Sequence, residues 1–238
     1  MERLWLAPTF VIVTLLIVGP LAAFFHILPP LAGFSLVLLA ILIGVVFGIG
    51  LAAASAFATV TNKAWRPRAV RAALVPLLLG LAAFAMVLRS KVPAIHDIST
   101  DLTNRIEFTP EVIAISMNKD PEGEQRAFVD ELQKSGYPDL APIDLSLPPA
   151  QAFTVAKSVA EKMPGWNVTN ADADAGRIEA TATSRIFHFV DDIAIRVRPD
   201  GEGSRIDLRS RSRVGQSDLG ANAARIRAFA AEVAKVKD

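Results

Sequence analysis

Three long uncharged apolar runs occupy the first third of the sequence and predict three transmembrane helices. They cover residues 4–28, 31–60 and 72–88. A helix over the second run would be about 45 Å long, which exceeds a hydrocarbon core of about 30 Å. The dipeptide Pro29-Pro30 separates the first two runs, because proline cannot continue a helix. Residues 1–89 are therefore expected to form a three-helix membrane region.

The basic residues predict how these helices are oriented. The connection over residues 61–71 carries only basic charges, at Lys63, Arg66, Arg68 and Arg71, whereas the first connection carries none. Because cytoplasmic loops are enriched in lysine and arginine, we expect an inner-membrane, multi-pass protein with a cytoplasmic N-terminus. Everything after Lys91 is then extracytoplasmic. A cleaved signal peptide is the alternative interpretation of the first run.

Small residues in the second run indicate close helix packing. Gly44 and Gly48 form a G-x-x-x-G motif, which lets helix backbones approach each other in lipid. We expect this face to pack within the three-helix region. A face that docks a second protein is the alternative.

Residues 90–238 show the alternating patterns of a folded domain. Helices are expected over residues 122–133 and 149–164, and a third is capped by Ser217 or Asp218. The stripe of the third helix contains Leu219, Ala223, Ile226, Phe229, Ala230 and Val233. Strands are expected over residues 111–117, 166–170, 177–186, 193–198 and 205–213. This order predicts an α+β domain with a mainly antiparallel sheet packed against helices.

The residues Asp200-Gly201-Glu202-Gly203 between the last two strands suit a short hairpin loop. A register that keeps both apolar faces together aligns three pairs of residues: Arg198 with Arg205, Arg196 with Asp207, and Asp192 with Arg211. The last two pairs carry opposite charges.

Composition separates the two halves and excludes several classes of function. Only seven of the 49 charged residues lie in residues 1–89. Residues 90–238 contain 19 basic and 23 acidic residues, so their net charge of −4 gives no support for nucleic-acid binding. The sequence has no cysteine and no motif typical of a metal, phosphate or nucleophile site. We expect no metal and no cofactor.

Arginines are concentrated on one face of the last hairpin. They are Arg196, Arg198, Arg205, Arg209, Arg211 and Arg213, and six acidic residues accompany them over residues 191–218. The balance of charges favours a hydrated lattice of ion pairs on the outer face of the sheet. The alternative is a pocket for a phosphate or carboxylate, which guanidinium groups bind well.

Four stretches resemble the family known as domain of unknown function 1499. They are IHDISTDLTN (95–104), EATATSR (179–185), DDIAIRVRP (191–199) and DLRSRSRVGQSDLGANAARI (207–226). The resemblance covers most of residues 92–234 and is most specific in R-S-x-S-R-x-G-x-S-D-x-G-x-N at 209–222. It implies no catalytic role. It directs attention to ten polar residues: His96, Asp97, Asp101, Asp191, Asp192, Arg209, Arg211, Arg213, Asp218 and Asn222.

Three functional hypotheses follow from these observations. The favoured one is a membrane-anchored envelope module, not an enzyme, that binds an anionic small molecule or a partner protein through the arginine strand. The second is a hydrolase or transferase that acts on an envelope lipid or glycan, with Asp191, Asp192 or His96 as acid or base. The third is a structural membrane subunit that contacts lipid and docks another complex through the Gly44 and Gly48 face.

Overall fold

The computed structural model describes residues 7–60, 78, 81–82, 85 and 92–236. The chain divides into two units. One consists of Met1–Lys91 with Ile186–His188, and the other of Val92–Arg185 with Phe189–Asp238. Each is described by itself.

The first unit contains two apolar helices, α1 (Ala7–Phe24) and α2 (Pro30–Val60). Helix α1 ends before a turn in which His26 has a positive φ of 56°. Helix α2 begins at Pro30, as the Pro29-Pro30 dipeptide predicts. Within the described residues, one helix is long and apolar enough to cross a membrane, over Pro30–Gly50. A helix of this kind near the N-terminus also fits a signal sequence.

The third expected helix and the basic connection lie mostly outside the described residues. Residues 61–77, which include the whole basic connection, are outside. Of the expected third helix over residues 72–88, only residues 78, 81, 82 and 85 are described, and all four are helical. The three-helix arrangement and its orientation therefore stay predictions.

Two glycines set the distance between α1 and α2. A Cβ atom added to Gly19 would lie 2.7 Å from the carbonyl oxygen of Gly33. One added to Gly33 would lie 2.7 Å from the Cβ atom of Ala23. The G-x-x-x-G motif predicts close packing at Gly44 and Gly48 instead. Both are buried, and their role in helix packing stays a prediction.

The second unit is an α+β domain, which confirms the predicted class. Its short elements are β1 (Asp97–Ser99), α3 (Pro110–Ile115) and β2 (Ile143–Leu145). The longer helices are α4 (Gly123–Gly136), α5 (Pro149–Lys162) and α6 (Ala221–Val236). The long strands are β3 (Trp166–Asp172), β4 (Arg177–Thr183), β5 (Val190–Asp200) and β6 (Gly203–Ser212).

All strand pairs in the sheet are antiparallel. The order is β1-β6-β5-β4-β3, and β2 pairs with the beginning of β6, at Ser204–Ile206. The hairpin of β5 and β6 has the predicted register, with Arg198 opposite Arg205 and Asp192 opposite Arg211. The third predicted pair, Arg196 with Asp207, is also present. The register predicted from the turn residues and from the apolar alternation is therefore confirmed.

Helices α5 and α6 cover the inner face of the sheet. Ala156 and Val159 of α5 and Phe229 and Val233 of α6 belong to one buried cluster with the inward residues of the strands. The ring of Trp166 stacks on that of Phe229, with centroids 5.7 Å apart. This cluster is the main core of the domain.

A segment that we call the cover, residues 100–120, lies on the outer face of the sheet. Ile106 and Phe108 of the cover form a second apolar cluster with Ala194 of β5, and Val112 packs against it. The expectation of a hydrated outer face is therefore wrong. Both faces of the sheet are covered.

Three local predictions are also wrong, each for an identifiable reason. Residues 111–117 contain helix α3 and not a strand, because Pro110 occupies the first helical turn and favours a helix start. Leu219 is 70% exposed, since it precedes α6 in a turn with a positive φ. Strand β4 ends at Thr183, so Ile186 is exposed and does not belong to the core.

We predict that Gly33→Ala weakens the contact between α1 and α2, because its Cβ would displace backbone and Ala23 atoms. Gly50→Ala is the matched control, since no atom lies within 4 Å of its Cβ position. Alanine favours a helix interior over glycine by about 1 kcal/mol, so the control should be neutral or stabilising. Thermal unfolding of the full chain in a nonionic detergent measures both. Equal melting temperatures for the two variants would contradict the prediction.

Candidate functional site

Strand β6 carries a row of charged side chains on its outer face, beneath the cover. Because side chains alternate along a strand, Arg205, Asp207, Arg209, Arg211 and Arg213 all point to this face. Ile206 and Leu208 point into the main core. The structure gives each charged residue of the row at least one partner of opposite charge.

At the centre of the row, Arg209 and Asp97 form a buried, two-pronged ion pair. Nε and Nη2 of Arg209 donate to the two carboxylate oxygens of Asp97, each at 2.9 Å. Nη1 donates to the carbonyl oxygen of Ile106 in the cover at 2.7 Å. Arg209 is 0% exposed and Asp97 is 1% exposed. The pair therefore joins β6, β1 and the cover.

The carboxyl group of Asp97 remains charged in spite of its burial. Burial by itself would raise its pKa, but the charge and hydrogen bonds of Arg209 outweigh this effect, with help from Arg105 and Arg126. The pKa of Asp97 is consequently well below its usual range. Burial by itself would lower the pKa of Arg209, but Asp97 and Asp120 outweigh it, so this pKa is raised.

Arg211 is also fully buried, but its hydrogen bonds are incomplete. Nη1 donates to Asp120 of the cover, which also accepts a hydrogen bond of 2.9 Å from Arg209. Nε and Nη2 of Arg211 are buried without a hydrogen-bond partner among the described residues. Its guanidinium lies 4.6 Å from the ring centroid of Phe108, and that of Arg209 lies 4.7 Å from the same centroid. The ring thus stabilises both cations through its π face.

A second ion cluster lies towards the hairpin turn. Asp207 is fully buried and accepts hydrogen bonds from Arg196 at 2.9 Å and Arg205 at 3.0 Å. Asp101 of the cover accepts hydrogen bonds from Arg198 at 2.9 Å and Arg205 at 3.3 Å. Arg196, which the sequence proposed as a ligand-binding residue, also donates to the carbonyl oxygen of Asn104 and thereby holds the cover.

Asp192 binds Arg213 and not Arg211, the residue directly opposite. Nε and Nη2 of Arg213 donate to Oδ1 of Asp192 at 3.0 and 2.8 Å. Among the described residues, Nη1 of Arg213 has no hydrogen-bond partner, and its side chain is partly exposed. Arg213 therefore still presents an N–H group outwards.

A cavity of about 330 Å³ opens between α3 and the sheet at this point. Val112 and Ile115 of α3 supply an apolar wall. The polar wall consists of hydroxyl, amide and charged groups: Thr109, Glu111, Thr169, Asn170, Glu179, Thr181, Asp192 and Arg213. A small concave space with one apolar wall and a few polar groups is the usual form of a ligand site.

Glu179, on the wall of this cavity, anchors the start of α3. Its Oε1 accepts a hydrogen bond from the backbone N–H of Thr109 at 3.2 Å and one from Arg177 at 2.8 Å. Its Oε2 accepts a hydrogen bond from the Thr109 hydroxyl at 3.2 Å. The end of the cover is attached to the sheet as well, since the N–H groups of Met117 and Asn118 donate to the carbonyl oxygen of Arg213. Helix α3 is therefore fixed at both ends above the cavity.

The remaining polar residues singled out in the sequence form a separate network between β6 and α6. Asn222 accepts a hydrogen bond from Ser210 at 2.6 Å and donates to the carbonyl oxygen of His96 at 3.0 Å. Asp218 accepts from the N–H of Asn222 at 2.8 Å, which confirms it as a helix cap. Burial raises the pKa of Asp218 above its usual value. This network fixes the start of α6.

The structure places the two aspartates proposed as acid or base on opposite sides of the sheet. Asp191 points to the side of the sheet where it meets Arg225, at 2.7 Å, and Asp192 points to the opposite side. His96 has a buried Nε2 without a hydrogen-bond partner among the described residues. In the part of the chain that the structure describes, no group of three or more acidic or histidine side chains forms a metal-ligand cluster.

Sequence reasoning missed the partners that the cover supplies. These are Arg105, Phe108, Thr109 and Asp120. The arginine-rich strand indicated that acidic partners were needed. Nothing in the sequence identified which acidic residues would lie against this strand in the folded domain.

The fold and its ion clusters define an α+β domain that follows an apolar N-terminal region. A family model described as "Protein of unknown function (DUF1499)" matches residues 97–233, and the chain belongs to this family. The predicted resemblance is thus confirmed. No curated protein matches the chain.

Two solved structures show only distant similarity. The protein TTHA0849 from Thermus thermophilus has 10% identity and a TM-score of 0.26, and the match covers 41% of this chain and 97% of that one. The protein Ara h 8.0201 has 10% identity and a TM-score of 0.21, with 40% and 95% covered.

We predict that Arg209→Met destabilises the domain by about 3–5 kcal/mol at neutral pH, because it leaves the buried Asp97 charge short of its main partner. Urea unfolding of the full chain in a nonionic detergent measures this loss, with Trp166 fluorescence in a background where Trp5 and Trp65 are phenylalanine. Arg185→Met, at an exposed position, is the control and should lie within about 0.5 kcal/mol of the parent.

The pH dependence separates loss of the ion pair from loss of packing. Since the pKa of Asp97 is lower in the folded state, its contribution is complete above its unfolded pKa of about 3.9 and disappears as the pH falls below that value. The difference between parent and Arg209→Met should therefore shrink below about pH 4. If the difference in unfolding free energy stayed constant throughout the acid range, the loss would come from packing and not from the ion pair.

Proposed function

We propose that the chain is a membrane-anchored binding module, not an enzyme, and that its ligand enters the cavity beside Arg213. The observation that carries this proposal is the cavity itself, where Nη1 of Arg213 is available next to hydroxyl and amide groups. An anionic group of the ligand would accept a charge-assisted hydrogen bond from this guanidinium. The rest of the arginine strand is engaged by Asp97, Asp101, Asp120 and Asp207.

The arrangement of the acidic residues supports binding over catalysis. Asp192 is held on both oxygens by Arg213, and Glu179 is held by Arg177 and Thr109. A carboxylate saturated in this way is a poor general base, because its lone pairs are occupied and its charge is neutralised. No observation favours the hydrolase or transferase hypothesis.

Membrane anchorage is the second part of the proposal. It is supported by the apolar Pro30–Gly50 segment and by the charge-free runs of the first third of the chain. We propose three membrane helices over residues 4–28, 31–60 and 72–88, a cytoplasmic N-terminus and an extracytoplasmic binding domain. The basic residues between the last two runs support this orientation through the positive-inside rule.

We predict that Arg213→Gln weakens binding of a small anion at the cavity by at least about tenfold, since a hydrogen bond to a charged group contributes roughly 1.5–3 kcal/mol. The measurement is calorimetric titration of the full chain with glycerol phosphate. Arg185→Gln, which removes an exposed arginine outside the cavity, is the matched control and should bind like the parent. Equal affinities for both variants would refute Arg213 as the binding group.

For the orientation, we expect alkaline phosphatase fused after Asp238 to be active and β-galactosidase fused at the same point to be inactive. Alkaline phosphatase needs the oxidising exterior to form its disulfides, whereas β-galactosidase functions in the cytoplasm. A fusion after residue 66, in the basic connection, should give the opposite result. Cytoplasmic activity of the fusion after Asp238 would overturn the proposed topology.

A further inference from the structure

The charges around the cavity suit a ligand that carries a cationic group as well as an anionic one. Three carboxylates, Glu111, Glu179 and Asp192, line it, against the single guanidinium of Arg213. Arg177 neutralises Glu179 and Arg213 neutralises Asp192. Glu111 is exposed and makes no ion pair with any described residue. The cavity thus offers one free N–H edge for an anionic group and one free carboxylate for a cationic group.

The rim of the cavity is apolar on the side of α3. Ile115 lines the cavity and is nevertheless 57% exposed. Met117, two residues further along the chain, is 76% exposed, and its N–H donates to the carbonyl oxygen of the cavity residue Arg213. Helix α3 has no buried residue. These two large apolar side chains, exposed beside a polar cavity, form a surface that favours apolar contact.

From this juxtaposition we infer that the ligand is a phospholipid whose headgroup carries both a phosphate and an amine. The phosphate meets Nη1 of Arg213, the ammonium meets Glu111, and the acyl chains leave along Ile115 and Met117. The inference rests on the proposed function and specifies its ligand. A headgroup satisfies both free charges at once, and the apolar rim gives the acyl chains a path that a water-soluble zwitterion does not need.

The size of the cavity and the apolar N-terminal region agree with this ligand class. Ligand cavities for drug-sized molecules start at about 300 Å³, so a space of about 330 Å³ holds a headgroup and leaves the chains outside. The chain also carries a segment long and apolar enough to cross a membrane, over Pro30–Gly50. A module anchored in this way is permanently close to phospholipid, which compensates for a weak intrinsic affinity.

The test is a titration of the full chain in a nonionic detergent with four probes. They are dihexanoyl phosphatidylethanolamine, glycerophosphoethanolamine, dihexanoyl phosphatidylglycerol and inorganic phosphate. Calorimetry gives the affinities, and the methyl resonances of Ile115 and Met117 report contact with the acyl chains. We expect phosphatidylethanolamine to bind most tightly, glycerophosphoethanolamine more weakly without shifting the methyl resonances, and inorganic phosphate most weakly.

Three variants separate the parts of the inference. Arg213→Gln should weaken both ethanolamine probes by about tenfold or more. Glu111→Gln should weaken the same two probes severalfold without weakening phosphatidylglycerol, which has no amine. Ile115→Asn should weaken the two lipids but not glycerophosphoethanolamine. Arg185→Gln is the control for all four probes.

The outcomes distinguish failure of this inference from failure of the proposed function. If inorganic phosphate binds as tightly as the lipids and Arg213→Gln abolishes its binding, the anion-binding module stands and the lipid inference is wrong. The same holds if phosphatidylglycerol binds as tightly as phosphatidylethanolamine and Glu111→Gln changes neither. If no probe binds, or if Arg213→Gln leaves every affinity unchanged, both are wrong.

Discussion

The ion pair between Arg209 and Asp97 is the constraint on which the domain depends. A guanidinium and a carboxylate that are both removed from water are costly to bury, and the cost is offset only when nearly every N–H and oxygen has a partner. Arg209 meets this condition by bonding to Asp97, Asp120 and the backbone of Ile106. Because these partners lie on β1 and on the cover, the strand cannot bury its arginine unless both elements are in place.

This dependence explains why the sheet has two covered faces. The inner face is closed by α5 and α6 through apolar contacts, which the alternation of the strands makes available. The outer face is rich in arginine and is closed by a segment that brings its own acidic residues, Asp101 and Asp120, and the ring of Phe108. Apolar burial and charge matching thus act on opposite sides of the same strand, β6.

The features of the fold that depend on local periodicity could be predicted from the sequence. The features that depend on pairing between distant residues could not. The α+β class, the register of the β5–β6 hairpin and the cap at Asp218 follow from alternation, turn residues and a single side chain. The cover was not foreseen, because Asp120 and Arg209 are 89 residues apart and charge balance alone does not identify partners. The strand expected over residues 111–117 failed for a local reason instead, because Pro110 occupies the first turn and favours the start of a helix.

The incomplete pairing at one end of the row determines where a ligand fits. Towards the hairpin turn, the three arginines Arg196, Arg198 and Arg205 each form ion pairs with both Asp101 and Asp207. Towards the other end, Asp192 is paired with Arg213 alone. Here the cover forms α3, which is attached to the sheet at Thr109 and at Met117 and is separated from it by the cavity. The same segment that buries the central arginines therefore leaves a space beside the last one. A site arises here because, among the described residues, no acidic residue of the cover forms an ion pair with Arg213.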